Sequence, residues 1–306
     1  DSLIFTTGVI PAISTTVKRM TNTGDNIVIP TPAYDMFFHS VENHGRHVLE
    51  CPLQCNNQEY TMDFEDLEKK LSDPLTTLMI LCNPHNPVGK VWTGEELQKI
   101  GSLCKKHHVV VLSDEIHCDL TLNQAEYVPF AAASAECAQN SITCIAASKA
   151  FNLAGFQSAA VYIPNEGIRA VMDRGLNSDE VAEPNCFAIE STVAALTKGG
   201  EWLDQLNVYL AKNKQYVAEF LAENLSELKL TKSGATYLLW VDVSALTKDA
   251  QELCDFIRKE TGLYITAGGQ YRGNGASYVR INIACPLAVV KDGMERLQKG
   301  VYAFKA

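Results

Sequence analysis

The chain has 306 residues, 46% hydrophobic and 20% charged, ordinary globular material at a length where one core usually stops growing and two domains form. Its formal net charge of −10 weighs against nucleic acid or an anionic membrane surface as a main partner. No apolar run approaches the roughly eighteen residues of a membrane span. The 10 cysteines show no metal or disulfide spacing. Cys51 and Cys55 have no second pair near them, and Cys82, Cys144 and Cys285 sit in apolar runs, where cysteine acts as a small hydrophobe. Free thiols in a cytoplasmic protein are the expectation. The chain begins at Asp1, without a methionine, in what reads as the middle of a fold, so residues upstream are expected to be missing from it.

In chain order, short apolar strands alternate with amphipathic helices from residue 26 to about 164. Strands are predicted at 26–30, 47–53, 76–82, 109–113, 142–147 and 159–163. Several are apolar throughout, as strands covered on both faces must be. Asp63 is placed to cap a helix carrying Leu67 and Leu71. Thr93-Gly94-Glu95-Glu96 fits a capping box, followed by Leu97, Ile100 and Leu103 at helical spacing. After Gly199-Gly200 the pattern changes. A long helix is predicted over 202–225, with Leu203, Leu206, Leu210, Val217, Leu221 and Leu225 on one face. Strands at 236–243 and 278–284 follow, with a helix near 250–261 between them. The fold class is therefore α/β: a large domain with a mostly parallel sheet over 1–200 and a smaller α+β domain over 201–306.

In open α/β sheets, ligands sit beyond the carboxyl ends of the strands, and three polar residues fall there. Lys149 follows an apolar strand, where a dry crevice favours the neutral, nucleophilic form of an amine able to form an imine with an aldehyde; taken alone, it reads as a solvated surface lysine. Asp114 ends the run Val109 to Ser113, where a nearly buried carboxylate needs a cation. A protonated ring nitrogen of a cofactor suits it, while a helix cap or a magnesium ligand are the alternatives. Asn86 lies in Asn83-Pro84-His85-Asn86-Pro87-Val88-Gly89, a setting that also serves as plain turn chemistry.

Asn86-Pro87-x-Gly89, then Asp114, then Ser148-Lys149-x-Phe151-Asn152, separated by 28 and 35 residues, resemble the fold-type I pyridoxal-phosphate enzymes of aminotransferase class I/II. The closer likeness is to the MalY/PatB group of cystathionine β-lyases and related C–S lyases. It rests on residues 81–92, on Ser113-Asp114-Glu115-Ile116-His117 and on residues 148–155. Ala235-Thr236-Tyr237-Leu238-Leu239-Trp240 and Arg280-Ile281-Asn282 extend it, so that it covers essentially the whole chain.

The resemblance implies pyridoxal 5'-phosphate as cofactor, held by Lys149 as a Schiff base, with Asp114 on its ring nitrogen and Asn86 on its phenolic oxygen. It implies that Tyr34 stacks on the ring and that Arg280 grips the substrate α-carboxylate. A core tyrosine and a structural ion pair are the alternatives. An arginine between Val279 and Ile281 is nevertheless a poor surface choice unless its planar fork meets a bidentate anion. The phosphate is expected at Gly8-Val9-Ile10, a helix start whose N–H groups bind anions and whose first turn tolerates Pro11, with Ser148 adding its hydroxyl. Residues 152–157 lack the arginine that many aminotransferases of this fold place there, a departure that sides with the lyases. His117, three residues past Asp114, either touches the cofactor, orients Asp114 or simply packs. His85 is expected at the entrance.

These parts make Lys149 the general base at the substrate Cα. Up to that step a lyase and an aminotransferase are the same machine, and no motif separates them. The subgroup resemblance selects β-elimination from cystathionine or other cysteine S-conjugates, giving a thiol, pyruvate and ammonia. A class I/II aminotransferase and a truncated cofactor-binding fragment with little activity are the alternatives. The resemblance also implies a homodimer, in which an upstream tyrosine of the family reaches the partner's phosphate.

Overall fold

The computed structural model describes residues 2–122 and 125–306. The apolar runs become the strands of a seven-stranded sheet. In chain order the strands up to residue 162 are β1 (Leu3–Thr6), β2 (Asn26–Thr31), β3 (His47–Pro52), β4 (Gln54–Asn56), β5 (Glu59–Thr61), β6 (Thr76–Cys82), β7 (Val110–Asp114), β8 (Ser141–Ile145) and β9 (Ala159–Tyr162). The main sheet runs β1-β9-β8-β7-β6-β2-β3, and β4 and β5 form a separate hairpin. β3, β2, β6, β7 and β8 are parallel. β9 runs antiparallel to β8, and β1 antiparallel to β9.

Alternate side chains explain the unbroken hydrophobicity. Ile27, Ile29, Leu78, Ile80 and Leu112 enter one core with helices α1 (Val9–Met20), α2 (Asp35–Glu42) and, later in the chain, Met172 and Leu176. Val28, Met79, Leu81 and Val111 enter the core on the other face, under helices α3 (Phe64–Leu71) and α4 (Gly94–Lys106). With both faces covered there is no polar side to alternate with. The caps form as the sequence indicates. Asp63 accepts from the N–H groups of Glu65 and Asp66, and Thr93 and Glu96 complete a capping box.

Two short helices, α5 (Phe130–Ala133) and α6 (Ala135–Gln139), precede β8. They are followed by α7 (Glu166–Ser178), α8 (Ala188–Lys198) and α9 (Gly200–Asn224). Helix α9 straddles two cores: Leu210 packs with Leu120, Leu122 and Ala150, while Val217 and Leu221 pack on a second sheet. That sheet runs β10-β11-β13-β12, from β10 (Lys229–Leu230), β11 (Leu238–Asp242), β12 (Thr266–Ala267) and β13 (Tyr278–Asn282). Helices α10 (Ala250–Thr261) and α11 (Leu287–Lys305) cover it.

Three sequence expectations need correction. The strand predicted to reach residue 147 ends at Ile145, because the chain turns there towards Lys149. Strand β1 was not anticipated; it is an edge strand of four residues with Leu3 exposed. Helix α8 was also missed, and it lacks a core stripe: of its residues only Ala188 is buried.

Candidate active site

The strand ends deliver the polar residues to one place. A cavity of about 350 Å³ is lined by Gly8, Val9, Ile10, Tyr34, Asn86, Asp114, His117, Lys149 and Arg280, together with Tyr237 and Leu238. Asn86 follows β6, Asp114 ends β7 and Lys149 follows β8. Arg280 comes from β13 of the second sheet, and its Nη1 lies 3.5 Å from Asn86 Oδ1. Of the residues singled out in the sequence, Ser148 and His85 are absent from the wall; Ser148 sits half-buried in the turn beside Lys149.

Asp114 is 3% exposed and accepts one bond, 3.1 Å from the Ile116 N–H. Burial pushes its carboxyl up to about 7; the Ile116 bond opposes this, Glu115 adds to it and Lys149 opposes it. Such an acid is short of a cation, not saturated by one. Behind it, Glu115 is 1% exposed. It accepts from Ser113 Oγ (2.7 Å), the Phe130 N–H (2.8 Å), Asn83 Nδ2 (3.3 Å) and the Tyr127 hydroxyl. Those bonds tie β7 to the turn that carries Asn86. The turn is pressed against the second sheet at Gly89, whose φ is +67°. A Cβ there would meet Ser233 Cβ at 2.5 Å and the Ala235 carbonyl at 2.8 Å.

His117 is buried, with its imidazole pKa lowered to about 3 by burial and by the charges of Lys149 and Arg280. Its Nδ1 has no partner among the described residues, and its ring meets Tyr237 edge-on at 6.3 Å. The expectation for His85 is overturned. It is wholly buried, with Nε2 2.8 Å from the Pro32 carbonyl and its ring edge-on to Trp92. It clamps two loops together and does not line an entrance.

Lys149 also departs from expectation: its side chain is exposed instead of enclosed in a dry crevice. Residues 154–157 shortly after it are exposed as well, and Phe187 (63%), Leu196 (60%) and Trp202 (50%) stand in the open. In the same cavity, Gly8 begins α1 with no side-chain cap, leaving first-turn N–H groups free to meet an anion. Tyr237 carries no chemical signal in sequence, because only the pairing of β11 with β13 brings its neighbourhood over the first sheet's strand ends.

A seven-stranded, largely parallel sheet with an amine, an unpaired carboxyl and an uncapped helix start around one cavity defines an α/β enzyme scaffold for a phosphorylated ring cofactor. The chain belongs to the aminotransferase class I and II family, whose profile matches residues 1–297. It is 43% identical over 298 residues to cystathionine beta-lyase PatB of Bacillus subtilis, covering 97% of this chain and 77% of that protein. It is 31% identical to protein MalY of Escherichia coli, covering 100% and 78%. Among solved structures it resembles cystalysin from Treponema denticola, which contains pyridoxal 5'-phosphate. The TM-score is 0.97 at 33% identity, covering 99% of this chain and 77% of that one. The residues present fit that cofactor, since among the described residues Asp114 makes no salt bridge, His117 Nδ1 has no partner and the start of α1 has no side-chain cap.

Proposed function

We propose that this protein is a pyridoxal-phosphate-dependent C–S β-lyase. It converts cystathionine or another cysteine S-conjugate, with water, to a thiol, pyruvate and ammonia. The observation that carries the reading is the convergence of Lys149, Asp114, Asn86 and Arg280 on one cavity; the choice of elimination over amino transfer is supported by the likeness to PatB. The bound cofactor supplies a protonated ring that withdraws electrons when the substrate Cα–H bond breaks. Lys149 would hold the cofactor through its amine, and the same amine is the group placed to take the Cα proton as general base. Asp114 would hold the ring nitrogen as an anion, and Asn86 would donate from its amide to the phenolic oxygen. Tyr34 would cover a ring face. The N–H groups of Gly8, Val9 and Ile10, with the Ser148 hydroxyl, would hold the phosphate. Arg280 offers its fork to the α-carboxylate, and neutral His117 closes the wall beside Asp114.

The same reading includes a homodimer in which a second copy covers the flank beside Lys149. Phe187, Val193, Leu196, Trp202 and Val208 are exposed apolar side chains on and beside α8 and α9, and apolar area left in water is the kind of feature that marks an interaction site. A cytoplasmic setting is supported by ten free cysteines, and no helix among the described residues is long and apolar enough to cross a membrane. The same reading divides the chain into a large unit over 1–200 and a smaller one over 201–306, supported by the separate second sheet.

The test is release of pyruvate and thiol from L-cystathionine by the yellow, cofactor-loaded protein with no 2-oxo acid added. Release of both, abolished by Lys149→Ala, is expected. Amino transfer on adding a 2-oxo acid, without thiol release, would overturn the lyase and leave the cofactor site standing.

A further inference from the structure

Arg280 is half-buried, with one long hydrogen bond, 3.5 Å to Asn86 Oδ1. A guanidinium has five N–H donors in a fixed fork. Orienting it with a protein carboxylate would neutralise it and occupy the donors that a ligand carboxylate needs. An aromatic face can hold the plane in place without consuming an N–H. Arg280 has such a face: its Cζ lies 4.9 Å from the centre of the Tyr271 ring.

Tyr271 is itself firmly held. It is fully buried, and Trp240 meets it edge-on at 5.4 Å and 88°. Trp240 in turn stacks on Tyr278 at 5.1 Å and donates from Nε1 to the Tyr60 hydroxyl at 3.0 Å. The Tyr271 carbonyl accepts from the Ala33 N–H at 2.8 Å, within the turn that carries Tyr34. Two residues on, Gly273 has φ +55°, and a Cβ there would stand 2.9 Å from the Pro32 nitrogen. Arg272 Nη2 reaches Glu42 Oε1 at 2.6 Å and its guanidinium lies over Phe38 at 4.1 Å. The segment is thus fastened to the first sheet's loops while presenting its ring to an arginine of the second sheet. The Tyr271 hydroxyl lies beside Gln270 without a well-formed hydrogen bond among the described residues, while its ring is the part that faces Arg280.

We propose that Tyr271 is a positioning residue: its ring face orients Arg280 so that the guanidinium fork stays free for the substrate α-carboxylate. This rests on the reading of Arg280 as the carboxylate anchor.

The experiment compares Tyr271→Met, Tyr271→Phe, Arg280→Ala and the Tyr271→Met/Arg280→Ala pair as cofactor-loaded, folded proteins. It reads KM and kcat for L-cystathionine and, independently of turnover, the amino acid's dissociation constant from the cofactor absorbance. Tyr271→Met keeps an adaptable apolar filler without a π face. It should raise KM and the dissociation constant roughly 3- to 30-fold, the range of a cation–π contact, with kcat changed less than about twofold. Tyr271→Phe should match the wild type. In the Arg280→Ala background, Tyr271→Met should add less than about twofold, because its effect passes through Arg280.

Unchanged binding in Tyr271→Met beside weakened binding in Arg280→Ala overturns the platform alone. So does full additivity of the pair, or a Tyr271→Phe variant that binds weakly, which also decides the matter if Tyr271→Met does not fold. Wild-type binding in Arg280→Ala overturns the carboxylate reading and the platform with it.

Discussion

The floor and the flank of the same cavity are built on opposite terms. On the floor, Asp114, Glu115 and Asn86 are each no more than 5% exposed, and Glu115 alone gathers four donors from three segments. On the flank, Lys149 and residues 154–157 are exposed, and the apolar side chains of Phe187 and Leu196 are more than half exposed. The floor is complete within one chain because strand ends and turns satisfy one another there. The flank leaves apolar area in water, which favours covering it with another surface. Substitutions in the two regions should therefore fail in different ways.

The largest effect is expected at Asp114. Asp114→Asn removes the anion proposed to hold the cofactor ring and should lower kcat/KM about 100- to 1000-fold, the scale of losing one electrostatic partner of developing charge. In cofactor-free protein the same change should raise thermal stability at pH 8. The wild-type carboxyl, at about 7, must ionise while buried, whereas an asparagine need not. Because the folded pKa lies above the unfolded one, the wild type loses stability as pH rises from about 4 to about 7. The advantage of Asn should therefore shrink to nothing as pH falls through that window. Equal melting shifts at pH 4.5 and pH 8 would contradict a floor short of a cation.

Next comes Glu115→Ala, which strands the Ser113, Asn83, Tyr127 and Phe130 donors. It should cost about 3 kcal/mol in urea unfolding, with Glu115→Gln recovering most of the loss. A loss below about 0.5 kcal/mol in both would show that the floor does not depend on this network. On the flank, Leu196→Asp should leave the unfolding free energy of the dissociated chain within about 0.5 kcal/mol while reducing self-association in sedimentation equilibrium. Loss of folding instead would make the flank part of the core and dissolve the contrast. The smallest effect is expected at His117, whose folded pKa of about 3 lies below its unfolded value. Its contribution is present above about pH 6.5 and lost as pH falls towards 3. His117→Gln should thus flatten the fall of the urea midpoint between pH 7 and pH 5.

Asn86, Asp114 and Lys149 were legible because parallel strands buried on both faces read as apolar runs, and each polar residue stands where a run stops. Caps at Asp63 and Thr93 were legible for a similar reason, since the bonds involved span three residues or fewer. His85 was misread: a histidine between two prolines looks like loop surface, and only the approach of Pro32, 53 residues away, buries it. Helix α8 escaped notice because its apolar residues face outward and mark no core stripe. Tyr271 carried no signal, because its role depends on an arginine and a turn brought to it by the second sheet.

By itself the sequence determined the α/β class, the strand ends on which Asn86, Asp114 and Lys149 stand and the order of those residues, because hydrophobic runs, caps and strand–turn boundaries are local in the chain. Tertiary structure alone decided that Arg280 meets Asn86 across 194 residues, that Tyr271 lies beneath that arginine, and that Asp114 is sealed while Lys149 is open. Those outcomes depend on how two sheets pack against each other, and burial is a property of the packed layers that no stretch of chain encodes alone.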